Sequence, residues 1–189
     1  MTWIVRRATV ADKAALSNFE CDSGADCVCA PQGGNVHESD VEAYLKSQAL
    51  DAMEWRQPHN DHRLLLLMDP EGSLAGAVAH EQLELRVEGT EVAARRLVVI
   101  GLRRDLQGRW VADHRLSSHL LAAGVHDLAT EPPKFLVARV MTCNSRSRNL
   151  LARHRIEMEV SHRDPAYIDL VGLYDRVVES LPPPLWGMT

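Results

Sequence analysis

Three strand-like segments follow one another between residues 63 and 102, and short turns separate them. The first segment is residues 63–68 and the second is residues 74–87, joined by Asp-Pro-Glu-Gly-Ser at 69–73, where Pro and Gly favour a turn. Glu-Gly-Thr at 88–90 leads to the third segment, residues 92–102. Because connections this short join antiparallel neighbours, the sequence predicts a three-stranded meander.

The segments on either side of the meander alternate between helix and strand. Before it, a short strand at residues 3–5 is followed by two helices, each opening on a capping-box pattern, at 9–12 and at 39–42. After it, leucine and valine at helical spacing predict a helix over 116–128. The remaining predicted elements are a strand at 135–141, a short helix around 150–151, and strands at 156–160 and 167–173.

This order predicts an α/β fold with a mixed, largely antiparallel central sheet of about seven strands, flanked by about four helices. The chain of 189 residues has the length of one ordinary domain. We expect a single domain over residues 1–178 and a Pro-rich C-terminal tail over 179–189. Gly101, inside an apolar strand, predicts a bulge that lets this strand splay from its neighbour.

Composition excludes several classes of function. A net charge of −5 argues against a broad nucleic-acid surface, and no apolar run is long enough to span a bilayer. The N-terminus lacks the features of a signal peptide, so we expect a cytoplasmic protein whose cysteines are free thiols. Cys21, Cys27, Cys29 and His37 have a spacing that matches no standard zinc module, so no metal is predicted.

Two segments carry a more specific pattern. In the first, Leu102 closes the third meander strand, Gln107-Gly108-Arg109 follows, and Arg115-Leu116-Ser117-Ser118 opens the next helix, with five additional residues at 110–114. In the second, Asn144 is followed at fixed spacing by a serine, two leucines and Arg-Ile. Over residues 3–174 the chain thereby resembles the GNAT-type N-acetyltransferases, which use acetyl-CoA as acyl donor.

The resemblance implies a set of cofactor-binding residues. Amides at a helix N-terminus, with the helix dipole, bind the pyrophosphate of coenzyme A, and glycine lets the backbone approach closely. The backbone N–H near Leu102 corresponds to the family's donor to the acyl carbonyl. The predicted acetyl-CoA contacts are Leu102, Gln107, Gly108, Arg109, Arg115, Leu116, Ser117, Ser118 and Asn144. The chain departs from the family at Leu151, where a tyrosine commonly protonates the leaving thiolate.

Glu81 and His80 are the candidate general bases, in that order, because both lie on the second meander strand beside the expected cleft. Strand alternation places His80 and Glu84 on one face and Glu81 on the other. Solvated strand residues without a catalytic role are an open alternative for each of them. His119 and His126, seven residues apart on one helix, predict a surface or crevice position.

Two functional hypotheses follow. The first is an acyltransferase that moves an acetyl or related acyl group directly from acyl-CoA to a small-molecule or peptide amine. The second is a non-catalytic module of the same fold that binds acyl-CoA or a protein partner, which Leu151 and the longer phosphate loop favour. A homodimer is expected from the exposed C-terminal strands of such sheets, and neither nucleic acid nor membrane is expected as a partner.

Overall fold

The computed structural model describes residues 2–21, 36–50 and 61–183, with only the backbone described at 36–39 and 48–50. The strands are β1 (Ile4–Arg7), β2 (Arg63–Met68), β3 (Leu74–Val87), β4 (Thr90–Leu102), β5 (Trp110–Val111), β6 (His114–Arg115), β7 (Phe135–Met141), β8 (Met158–Ser161) and β9 (Tyr167–Leu173). The α-helices are α1 (Lys13–Ser17), α2 (Val36–Leu50), α3 (Leu116–His126), α4 (Ser145–Arg153) and α5 (Tyr174–Ser180). Two short 3₁₀ turns, Val10–Asp12 and Arg104–Leu106, precede α1 and β5.

Among the described residues, seven strands form the central sheet, in the order β1-β2-β3-β4-β7-β9-β8. Its pairs are antiparallel except for β4 and β7, which are parallel because α3 carries the chain back across the sheet. The predicted α/β fold is therefore confirmed, including the meander. Strands β2, β3, β7 and β9 have the predicted bounds.

Helices cover both faces of the sheet. On one face, α3, α4 and α5 pack through Leu120, Leu121, Leu151 and Val177 against the strands. On the other face, α1 and α2 bury Leu16 and Leu45 against β2, β3 and β4. None of the helices within the described ranges combines the length and the apolar character that a bilayer span requires.

The ends of several elements differ from the prediction. Helix α2 begins at Val36, so the pattern at 39–42 lies inside the helix; Glu42 instead accepts a hydrogen bond from the Cys21 N–H at 2.7 Å. At the first capping-box pattern, residues 9–12, the Asp12 carboxylate accepts a hydrogen bond from the Thr9 N–H at 2.8 Å, as predicted. Helix α5 was not predicted, and it runs into the segment assigned to the tail.

Two expectations for single residues are wrong. Cys143 is disulfide-bonded, so it is not a free thiol. His119 is fully buried, not at the surface, because α3 packs this face inward and the ring lies against the Val111 carbonyl. Of the four residues considered as metal ligands, Cys27, Cys29 and the His37 side chain lie outside the described residues.

A buried charged cluster links the end of α3 to the sheet. The Asp127 carboxylate accepts from Arg63 at 3.0 Å and from Arg7 at 3.1 Å, and His80 Nε2 lies 3.3 Å from it. Burial opposes its charge, but the proximity of His80 and the hydrogen bonds from Arg63 and Arg7 lower the pKa of Asp127 well below its usual range. Asp127 thereby fixes α3 to β1, β2 and β3.

Candidate functional site

The site begins where two neighbouring strands part. The parallel ladder between β4 and β7 pairs only Ala94–Leu97 with Phe135–Ala138. Beyond it, β4 continues to pair with β3 as far as Leu102, and β7 continues to pair with β9 as far as Met141. Because each strand follows a different neighbour, a wedge opens between them.

A bulge in β4 lies at the start of this wedge. Ala79 pairs with Val99 and His80 pairs with Leu97, so Val98 is the extra residue. The sequence predicted the bulge at Gly101, three residues further along. Gly101 instead lies under α2, where an added Cβ would be 2.6 Å from Val41 Cγ1. Glycine at 101 thus allows a close approach of helix and strand.

A cavity of about 240 Å³ lies within the wedge. Its walls are the edges of β4 and β7 and one side of α4, with Asp40 and Val41 of α2 and Tyr167 of β9 at its border. Aliphatic side chains of β4, β7 and α4 line it, together with polar groups from Asp40, Arg139, Asn144, Ser147 and Tyr167. A cleft that combines apolar walls with a few polar groups is typical of a small-molecule site.

Two backbone donors of β4 face the wedge. The Arg103 N–H donates to the Ala75 carbonyl at 2.8 Å, so Arg103 points its backbone polar groups toward β3. Since these groups alternate along an antiparallel strand, Leu102 and Ile100 point theirs to the opposite side, toward β7. The Leu102 N–H is the predicted donor to the acyl carbonyl. The Ile100 N–H, beside the cavity that Ile100 lines, is a second candidate donor that the sequence did not indicate.

Asn144 stands at the other wall, as the N-cap of α4. Its side-chain oxygen accepts from the Ser147 N–H at 3.0 Å, which leaves its amide nitrogen as a donor beside the cavity. Leu151 lies two turns along the helix and is buried in the core. A leucine donates no proton, and among the described residues that line the cavity the hydroxyl groups are those of Ser147 and Tyr167.

The loop after β4 is folded tightly. The Arg103 guanidinium donates to Asp105 at 2.7 Å and to Asp69 at 3.1 Å, and the Gln107 amide donates to the Cys21 carbonyl. Gly108 has φ of 76°, a left-handed conformation that glycine adopts without strain. The side chains of Arg103 and Gln107 are thus used to hold the loop, while Gly108 turns it toward α3.

The five additional residues form a hairpin at the start of α3. The Leu116 N–H donates to the Arg109 carbonyl at 2.8 Å, which closes the base of the hairpin and removes this amide from the helix N-terminus. Amides available to an anion therefore begin at Ser117 and Ser118, because a helix leaves its first N–H groups without intrahelical acceptors. Ser118 is buried, and its hydroxyl lies 2.8 Å from His154 Nε2.

The two candidate bases lie in different environments. His80 is fully buried; its Nδ1 lies 2.9 Å from an Arg95 nitrogen and its Nε2 faces Asp127. Because arginine only donates, Nδ1 is the acceptor and the ring is neutral; burial lowers the pKa of His80. These contacts favour a structural role for His80.

Glu81 points to the face that α2 covers. Its carboxylate forms an ion pair with Arg96 and lies near a hydrogen bond between the Tyr44 hydroxyl and His62 Nε2. Burial and the charge of Glu81 raise the pKa of Tyr44, and burial lowers the pKa of His62. Tyr44, His62 and Arg96 come from three distant segments, so no local motif in the sequence brings them together with Glu81.

The chain is similar to several proteins of known structure. No protein-family profile and no curated protein matches the chain by sequence. A bacterial toxin superposes with a TM-score of 0.63 at 18% identity, covering 95% of both chains. The PaiA N-acetyltransferase of Thermoplasma acidophilum, in complex with coenzyme A, gives 0.62 at 11% identity over 92% of this chain and 100% of that one.

A third solved structure is the AtaT toxin, as a tyrosine-to-phenylalanine mutant bound to the C-terminus of the antitoxin AtaR and to acetyl-CoA. It gives a TM-score of 0.56 at 13% identity, over 94% of this chain and 96% of that one. Identities this low are informative about the fold alone. Together with the parted strands β4 and β7, they confirm the resemblance: the chain has the fold of the GNAT-type N-acetyltransferases.

Proposed function

We propose that this protein transfers an acetyl or related acyl group from acyl-CoA directly to an amine. The parting of β4 and β7, with the cavity between them, carries the proposal. The cleft suits a pantetheine arm, with the Asn144 amide as a donor to it. The N–H groups of Leu102 and Ile100, which point away from β3, suit an acyl carbonyl whose oxygen gains charge in the reaction.

The anionic end of acyl-CoA is assigned to the start of α3. The amides of Ser117 and Ser118 and the helix dipole favour a pyrophosphate there. Arg109 and Arg115 add positive charge on exposed side chains nearby. In this assignment Gln107, Gly108 and Leu116 shape the loop, and Leu116 also fills the core beneath it.

The amine is assigned to the face of the sheet that α2 covers, where Glu81 lies. Transfer requires a neutral amine, so a base must accept its proton as the carbon–nitrogen bond forms. Glu81 is the proposed acceptor, acting through water, with Arg96 and the Tyr44–His62 pair as its polar surroundings. His80 belongs to the Asp127 cluster in this proposal.

The leaving thiolate also needs a proton. Leu151 cannot supply it, and the Tyr167 hydroxyl at the border of the cavity is the proposed source. The amine proton accepted at Glu81 and the proton donated by Tyr167 then balance over one turnover, after exchange with solvent.

A second candidate function is a non-catalytic module that binds acyl-CoA or a protein partner. The buried leucine at position 151 favours it, because the group that commonly protonates the thiolate is missing. The AtaT structure holds a peptide of its antitoxin, which makes a protein partner a reasonable alternative for this chain as well. A homodimer, an amine substrate and a cytoplasmic location stay predictions.

Thermal unfolding with acetyl-CoA, coenzyme A or phosphate tests the binding step. A ligand present at a hundred times its Kd and bound only to the folded state adds about 2.7 kcal/mol of stability. We expect a clear shift with acetyl-CoA and none with phosphate. An absence of any shift at millimolar acetyl-CoA would contradict the enzyme proposal.

Release of coenzyme A in the presence of a panel of amines tests catalysis. Glu81→Gln and Tyr167→Phe should each slow turnover at least about tenfold while the acetyl-CoA shift persists. Glu84→Gln, on the opposite face of the same strand, is the matched control and should leave turnover within about twofold. Binding without turnover on any amine would favour the non-catalytic module.

A further inference from the structure

The hairpin β5–β6 is an insertion in the phosphate loop and projects an aromatic and a cationic side chain. Trp110 pairs with Arg115 across the two strands, and Ala112 and Asp113 turn the chain with φ of 45° and 65°. Trp110 is 61% exposed, the largest exposure among the large apolar side chains described. The Arg115 guanidinium carbon lies 5.6 Å from the centre of its ring.

We propose that this hairpin binds the 3′-phosphoadenosine end of acyl-CoA, with Trp110 against the adenine and Arg115 on the 3′-phosphate. The inference rests on the proposed acyl-CoA site and assigns a chemical preference to it. It makes the hairpin the element that distinguishes coenzyme A from the same molecule without its 3′-phosphate.

The hairpin is held firmly beside the proposed pyrophosphate amides. Its base is closed by the bond from the Leu116 N–H to the Arg109 carbonyl, and the Val111 carbonyl lies 3.1 Å from His119 Nε2 in the first turn of α3. Val111 also packs against the core cluster that contains Leu116. In coenzyme A the pyrophosphate joins directly to the 5′ carbon of the ribose, so a phosphate bound at Ser117 brings the adenosine next to this hairpin.

The charges around the hairpin favour an anion. Arg115 lies over Trp110 and forms no ion pair with any residue in the described ranges, whereas Arg109 lies over the Trp3 ring at 5.9 Å and its charge acts on the Asp105 carboxylate. Arg103, in the same loop, is by contrast bound by Asp69 and Asp105. Asp113, at the tip of the turn, is the acidic residue within the hairpin itself. In a chain with net charge −5, the Arg115 guanidinium is thus left for a ligand on the face that carries Trp110.

The side-chain types match this ligand better than a simple anion. Arginine binds phosphate through two parallel hydrogen bonds, and its planar group can remain stacked on an aromatic ring while it does so. An exposed tryptophan offers a face on which a purine base stacks. A site for free phosphate would need the arginines but would have no use for Trp110.

Isothermal titration with acetyl-CoA and with acetyl-3′-dephospho-CoA tests the inference directly. We expect the wild type to bind acetyl-CoA about tenfold more tightly. Arg115→Gln, which keeps a polar side chain but removes the charge, should weaken acetyl-CoA about tenfold and leave the dephospho form within about twofold. Trp110→Ala should weaken both about equally, because both carry the adenine.

Arg86→Ala is the matched control. Arg86 is an exposed arginine at the far end of the β3–β4 hairpin, paired with Glu91, and its removal changes the net charge of the protein by the same amount. It should alter neither affinity by more than about twofold, whereas a general charge effect would lower acetyl-CoA affinity in both arginine variants alike.

Three results overturn the inference. The assignment is contradicted if the wild type binds the two ligands with equal affinity, or if Arg115→Gln weakens the binding of both ligands in parallel. It is also contradicted if Trp110→Ala retains the full affinity. Each of these results would leave the acyl-CoA site in place. Failure of the wild type to bind either ligand contradicts the proposed function itself. Circular dichroism of each variant shows that the fold is retained before titration.

Discussion

Gly101 sets the distance between α2 and the sheet beside the cleft. Its position under Val41 leaves no room for a methyl group, since the added Cβ would lie 2.6 Å from Val41 Cγ1. We therefore expect Gly101→Ala to lower the free energy of unfolding by about 1–3 kcal/mol, the usual cost of overpacking. Urea unfolding followed by circular dichroism measures it.

Val41→Ala gives the control for this prediction. It removes the methyl group that an alanine at position 101 would meet. Gly101→Ala should therefore cost less than half as much in the Val41→Ala background as in the wild type. An equal cost in both backgrounds would mean that the clash with α2 is not the cause, and that the flexible backbone of glycine is what matters at this position.

At the scale of elements, Asn144 has two separable roles. Its side-chain oxygen caps α4 through the Ser147 N–H, while its amide nitrogen is the proposed donor to acyl-CoA. Asn144→Ala should lose the cap, at a cost of about 1 kcal/mol, and should also weaken acetyl-CoA binding. Asn144→Asp keeps a capping oxygen but has no amide donor, so it should retain stability and still weaken binding.

The two measurements for Asn144 are urea unfolding and titration with acetyl-CoA. Asn149→Ala, at an exposed position further along the same helix, controls for a general effect on α4. Normal acetyl-CoA affinity in Asn144→Asp would contradict a role for the amide nitrogen and would leave Asn144 as a helix cap alone.

Most strands could be predicted from the sequence, because alternation and turn residues are local signals. Strands β2, β3, β7 and β9 have the bounds that their apolar runs predicted. The hairpin at 110–115 was read as a loop, since its two-residue strands are too short for any periodicity. Helix α5 was missed because Tyr174 continues directly from β9 with no turn residue between them.

The candidate site was less predictable than the fold. Local motifs indicated Leu102, which ends the strand on one side of the cleft, and Asn144, which lines the cavity. No sequence signal placed the bulge at Val98, which depends on how β3 and β4 pair. His80 and Glu81 were placed correctly on opposite faces, but only the packing of α3 shows that His80 is enclosed by Arg95 and Asp127.

At the scale of the whole molecule, ion pairs tie distant segments together. Asp61 forms an ion pair with Arg95 of β4, and Asp69 forms one with Arg103, which follows β4. Asp127 forms ion pairs with Arg7 of β1 and Arg63 of β2. Burial opposes the charge of Asp61, Asp69 and Asp127, yet these bonds lower the pKa of each. These three carboxylates thus contribute to the free energy of unfolding above pH 4, and this contribution is lost as they are protonated in more acidic solution.

Buried histidines give a second dependence on pH, at milder values. Burial lowers the pKa of five rings, because enclosure disfavours the charged form; these are His62, His80, His119, His126 and His154. In the unfolded chain each returns to the ordinary value of 6.5. The unfolded state therefore binds more protons below this pH, and stability must fall as the pH is lowered.

We expect the free energy of unfolding to decrease by about 1–3 kcal/mol between pH 7.5 and pH 5.5, before the carboxylates begin to titrate. Urea titrations at closely spaced pH values measure this slope. His154→Gln should make the dependence of unfolding free energy on pH less steep, because it removes one of these rings, which is buried between the Ser118 hydroxyl and the Ser180 carbonyl. A stability that stays level over this range would contradict the assignment of these rings as neutral in the folded protein.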